Sequence, residues 1–155
     1  MRKSTTLFVS VTTATYFAFF LVETVLWMWP PVHNFLLPQL NWGLDYPAKE
    51  QARILRTLFV NQGVYNLMLG LAGIAGLMLV TRGKVEPGLT LIKFACLFAL
   101  GAAGILLTTT SAYVLGTVQA LFPMFALFFI WRVRDRTQQQ DQNEKDRALA
   151  ANQLQ

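Results

Sequence analysis

Four apolar runs, residues 7–29, 55–80, 89–110 and 113–131, hold only three charged side chains among them: Glu23, Arg56 and Lys93. A hydrocarbon core of ~30 Å takes about 20 helical residues to cross, and each run suffices. Backbone groups in lipid have to be satisfied within the segment or by a closed barrel. The runs lack the period-two alternation of a membrane barrel, so helices are expected. The predicted fold class is all-α: an integral membrane four-helix bundle over residues 1–131. Composition agrees, since 14% of the chain is charged against about 25% in a typical soluble domain.

"MRKSTT" could open a cleaved signal peptide, but the apolar run behind it far exceeds the usual 7–15 residues. Trp27 and Trp29 read instead as an interfacial belt closing a retained first helix. Four spans place the N-terminus, the second loop and the C-terminus on one side. That side carries Arg2, Lys3, Arg82, Lys84, Arg132, Arg134, Arg136, Lys145 and Arg147. The other carries Lys49, Arg53 and Arg56, partly offset by Asp45 and Glu50. The positive-inside rule then puts both termini in the cytoplasm of a bacterial inner membrane. The net charge of +5 is this asymmetry and calls for no nucleic acid; membrane lipids are the expected partners.

The segment after Trp131, "RVRDRTQQQDQNEKDRALAANQLQ", is polar and Gln-rich. It reads as a continuation of the fourth helix that then frays or becomes disordered, residues 132–155. The first loop, "PPVHNFLLPQLNWGLDYPAKEQAR", holds four prolines and three aromatics. It reads as an ordered cap or as a loose interfacial loop. Cys96 is the single cysteine, which excludes an intrachain disulfide, and is read as a small packing residue. His33 is the single histidine, read as exposed or packed within the loop. One His cannot build a metal site with a Glu alone, and no Ser–His–acid or Cys–His set is present. No metal and no cofactor is expected.

The polar residues inside the spans fall at one depth. Glu23 lies six residues before Trp29, about 9 Å at 1.5 Å per residue. Asn61 and Gln62 lie as far into the second run, with Tyr65 and Asn66 one turn deeper. Thr108, Thr109 and Thr110 close the third run, and Gln119 lies six residues into the fourth. The other half of each span is expected to be apolar except for Lys93. Asn61 with Tyr65, and Gln62 with Asn66, are i,i+4 pairs on one stripe. Tyr16, Phe20, Glu23 and Trp27 share a face of the first helix. Turned inward, these faces form a polar chamber walled with aromatics. Glu23 is the acid/base candidate, because a carboxyl inside a span has to be neutral or held by donors. Tyr16, Trp27, Asn61, Gln62, Tyr65, Asn66 and Gln119 are the ligand-binding candidates. Each amide taken singly is equally suited to holding helices together. Pro123 frees the Gln119 carbonyl from its usual helical partner.

The order Glu23-x-x-x-Trp27, "NQGVYN" at 61–66, Lys93-Phe94-x-Cys96 with "AAG" at 102–104, and "VQALFP" at 118–123 resembles the bacterial domain-of-unknown-function 1304 family. Members are small four-helix integral membrane proteins, and the resemblance covers roughly residues 7–131. It implies the fold and supplies no reaction.

Three functions suit these residues. The first is binding or acid/base processing of a small lipophilic ligand in the chamber. The second is proton-coupled export of small molecules, with a homo-oligomer supplying the second access path. The third is an accessory or structural membrane subunit in which the polar groups fix helix register. An open polar pocket at Glu23 favours the first, and a dry, fully bonded network favours the third.

Overall fold

A computed structural model describes residues 3–40 and 46–152, with side chains described for 3–40 and 46–132. Arg2, Trp42, Asp45 and the side chains of residues 133–155 lie outside the described residues. The chain runs through α1 (Lys3–Phe20), a π-helical turn (Leu21–Val25), α2 (Pro30–Leu40), α3 (Ala48–Thr81), α4 (Val85–Thr109) and α5 (Tyr113–Asn152). Four segments are long and apolar enough to cross a membrane: Lys3–Val25, Ala48–Thr81, Val85–Thr109 and Tyr113–Arg132. This is the expected all-α bundle. α1 packs against α3 and α5, α3 against α4, and α4 against α5, closing a ring of four helices.

Several boundaries differ from those read in the sequence. The first span ends at Val25 rather than at 29, because the chain leaves α1 through the π turn. α3 begins at Ala48, seven residues before the apolar run, so it reaches beyond the span at one end. α5 carries on as helix to Asn152, so the helical continuation expected at the start of the tail runs on to that residue.

The first loop contains a helix of its own. Pro30 and Pro31 open α2, where a missing N–H costs nothing. Leu36 and Leu37 of α2 are buried with Trp27 and Ala52. The helix therefore lies as a cap over one end of the bundle. Its C-terminal end is pinned to the α4–α5 turn: the Ser111 N–H and Oγ–H both donate to the Gln39 carbonyl, at 3.2 and 3.0 Å. Trp29, Tyr46 and Tyr113 are exposed near this capped end, and Trp131 is exposed at the other. These are the positions of membrane-interface aromatics.

At the opposite end α3 and α4 are joined by a tight turn. Arg82 caps α3, Gly83 takes a φ of +81°, and the chain re-enters helix at Val85. The Lys84 N–H returns to the Leu79 carbonyl at 2.9 Å and the Gly83 N–H to Val80 at 3.1 Å. This is the Schellman pattern, which needs a left-handed residue where Gly83 stands. Beyond the turn the backbones of α3 and α4 approach closely. A Cβ on Gly88 would lie 2.7 Å from the Gly76 carbonyl oxygen. The core at this end is the apolar cluster Val9, Ile92, Cys96, Ala126 and Ile130.

Candidate functional site

Near the capped end α1 widens into the π turn, and the Leu26 N–H closes it on the Leu21 carbonyl at 2.8 Å. Single π turns inside α-helices are frequent at functional sites, because the extra residue displaces a side chain from the regular face. Here the central residue is Glu23. Gly63 of α3 lies opposite, where a Cβ would meet Glu23 Cβ at 3.2 Å and collide with Thr24 Oγ1. The absent side chain lets the wide turn sit directly on α3. Thr24 Oγ1 then donates to the Val60 carbonyl at 3.3 Å. One turn further along α3, the Asn66 amide donates to Glu23 Oε2 at 2.7 Å. That length suits a charge-assisted bond.

Asn66 is buried, whereas Glu23 is only half-buried. Among the described residues Glu23 has no ion pair, and its second carboxyl oxygen has no protein hydrogen bond. The site is a carboxyl fixed on one side by an amide and open on the other. It lies at the surface of the α1–α3 seam, within the last turn of its span.

The other candidates divide into three groups. Tyr16 and Gln119 are buried one layer deeper in the bundle, where the Gln119 side chain faces the Tyr16 hydroxyl. That hydroxyl makes no hydrogen bond among the described residues. The Tyr16 ring packs with Leu69, Ala95 and Ala99 and meets Phe19 edge-on at 6.1 Å. Trp27 belongs to the cap. Its Nε1 donates to the Ala52 carbonyl at 2.8 Å, and its ring stacks on Phe59 at 3.6 Å. His33 is buried beside it, and its Nδ1–H donates to the Trp27 carbonyl at 3.1 Å. Finally, Asn61, Gln62 and Tyr65 are exposed on the outside of α3. The structure thus bonds Glu23 to Asn66, buries Tyr16 and Gln119 without a hydrogen bond between them, and leaves Asn61 and Gln62 on the outer surface.

Two features are absent from the sequence reading. The half of the bundle away from the cap is not apolar apart from Lys93: Thr5, Thr12 and Thr13 are buried on α1. Threonine enters an apolar interior by bonding within its own helix, as Thr12 Oγ1 does to the Phe8 carbonyl at 2.8 Å. The second feature is the seat of the π turn, Gly63 and Thr24. A signal for Gly63 exists in "NQGVYN", since Gly63, Asn66, Gly70 and Gly73 follow the i, i+3, i+7, i+10 spacing of one buried face.

The bundle encloses a cavity of about 10 Å³ lined by Thr12, Thr13, Tyr16, Leu69, Gly73 and Cys96 among others. That is room for about one water molecule. Glu23 does not line it. The chemistry available at Glu23 is therefore surface chemistry: accepting a donor, or exchanging a proton, with something that approaches along the α1–α3 seam.

No curated protein and no solved structure matches the chain. The family model described as protein of unknown function (DUF1304) matches residues 10–131, which takes in α1 from Ser10 on, the π turn, α2, α3, α4 and α5 as far as Trp131. With four fifths of its length matched, and the Glu23–Asn66 pair inside the matched region, this multi-pass helical chain belongs to the DUF1304 family.

Proposed function

We propose that the protein binds the polar end of a small lipophilic ligand at Glu23, from the non-cytoplasmic leaflet of a bacterial inner membrane. The single observation that carries this reading is the Glu23–Asn66 bond at 2.7 Å within the π turn. It holds one carboxyl oxygen and leaves the other free at a half-buried position. The cytoplasmic placement of both termini rests on the excess of Lys and Arg at the Gly83 end. A ligand with an apolar tail would lie along the exposed side of α3 beside Gln62 and Tyr65, with its head on the carboxyl. Acid/base processing of that head is the chemistry a positioned carboxyl offers.

A second reading, an accessory or structural subunit, is favoured by the small cavity beside Tyr16 and Cys96, whose volume of about 10 Å³ holds no more than about one water molecule. Proton-coupled export by one chain meets the apolar cluster of Val9, Ile92, Cys96, Ala126 and Ile130 across the far half of the bundle.

The discriminating experiment is thermal unfolding of the detergent-purified protein while total membrane lipid extract is titrated in. Glu23→Gln keeps an acceptor for Asn66 and removes the ionisable group. A ligand at 100 times its Kd stabilises the folded state by about 2.7 kcal/mol. Stabilisation of the parent that Glu23→Gln lacks supports a ligand site. Equal curves with both proteins leave Glu23 as a helix-pairing group and support the accessory reading.

A further inference from the structure

We propose that the head group received at Glu23 is an alkylammonium bearing N–H donors, an inference that rests on the ligand-site reading above. The argument is one of charge. Among the described residues the carboxyl receives a neutral amide on Oε2 and no cation. Arg56, the nearest basic residue along α3, lies seven residues before Gly63, about 10 Å toward the capped end. Helical side chains lean toward their helix N-terminus, so Arg56 leans further away from Glu23. The basic residues of the Gly83 turn are at the opposite end of the bundle.

A carboxyl on a membrane span is neutral or held by donors, and an ionised Glu23 with one neutral donor leaves a negative charge that a cationic head compensates. A hydroxyl-headed ligand supplies a donor and no charge. A quaternary ammonium supplies charge and no donor. A primary ammonium supplies both and can reach the open oxygen directly. It has further N–H groups to spare, and Gln62, one turn from Asn66 on α3, is exposed. Phosphate-headed ligands without an amine meet only repulsion there. The ammonium can belong to an ethanolamine-type lipid or to a free alkylamine, and the two are separated by whether an acyl chain is needed.

The test uses the full-length protein in detergent micelles and native mass spectrometry with four probes. These are dioleoylphosphatidylethanolamine, the same lipid N-acetylated, dioleoylglycerol and butylamine. The N-acetylated lipid exchanges the ammonium for a neutral acetamide and carries the phosphodiester charge uncompensated, so Glu23→Gln is the control that separates the ammonium–Glu23 contact from net charge. The expected result is about tenfold tighter binding of the ethanolamine lipid than of its N-acetyl form, as one charge-assisted bond in place of a neutral one implies. Glu23→Gln brings that ratio to about one. Binding of butylamine with the same Glu23 dependence assigns the ligand to free amines, and its failure beside lipid binding assigns it to lipids; both keep the proposal. Equal binding of the two ethanolamine lipids by the parent protein overturns it. If dioleoylglycerol then still binds in a Glu23-dependent way, the ligand site survives without the ammonium. If no probe depends on Glu23, both readings fall.

Discussion

The two ends of the bundle are built differently. At the capped end directed hydrogen bonds cross between elements: Trp27 to Ala52, His33 to Trp27, Ser111 to Gln39, Asn66 to Glu23 and Thr24 to Val60. At the Gly83 end the helices meet through shape, with Gly76 against Gly88 and a core of Val9, Ile92, Ala126 and Ile130. Thr12 there bonds back into its own helix, and Thr5 Oγ1 is buried without a hydrogen bond among the described residues. The difference follows from solvent. Lipid tails give no hydrophobic drive between helices, so deep contacts depend on close packing. Near the interface, polar groups that water would otherwise satisfy can instead hold neighbouring elements together. The end that needs directed bonds is also the end where a carboxyl can be held half open.

This contrast can be broken from either side. The largest effect is expected for Trp27→Ala, which removes the Phe59 stack and the Ala52 hydrogen bond. A loss of ~3–5 kcal/mol is expected, as for other buried Trp truncations. Hydrogen exchange should show α2 opening while the α3–α4 pair stays protected; uniform loss of protection would mean that the two ends are not separable. Gly88→Val comes next, at about 3 kcal/mol, because its Cβ falls 2.7 Å from a backbone oxygen that cannot step aside. Denaturation in sodium dodecyl sulfate should register it with the cap contacts intact.

Asn66→Leu keeps the volume and removes the donor to Glu23. About 2 kcal/mol is expected, the range for hydrogen bonds to charged groups. In the Glu23→Gln background the same change should cost less, and a double-mutant cycle without coupling would show that the bond contributes nothing. The smallest effect belongs to Tyr16→Phe. Its hydroxyl is buried without a hydrogen bond among the described residues, so the unfolding midpoint should move by less than ~0.5 kcal/mol. A larger loss would reveal a bond to Gln119.

The spans were legible in the sequence, and so was the need of Glu23 for a polar donor from a neighbouring helix, though not which donor, because run length and the cost of a lone carboxyl in lipid are strong constraints. The facing of α3 was not. An i,i+4 pair fixes two residues on one stripe without saying whether the stripe turns inward. Asn61, Gln62 and Tyr65 are exposed because the inward stripe is the glycine one, Gly63, Gly70 and Gly73. Glycines at this spacing define the buried face and hence which neighbour is buried with them. The π turn was illegible for a different reason. "LVETV" has no residue that forbids an α-helix, and the wide turn appears only where Gly63 and Thr24 give it a seat. The α2 cap was half legible, since Pro30 and Pro31 suit a helix start and Leu36 and Leu37 supply an apolar face.

The Schellman turn at Gly83 has a bearing on how the chain sits in its bilayer. Three residues, Arg82 to Lys84, separate α3 from α4. Even fully extended they reach about 10 Å, far short of a ~30 Å hydrocarbon slab. α3 and α4 therefore keep their joined ends together at one face of the bilayer, and the two cations of the turn, Arg82 and Lys84, stay at that interface.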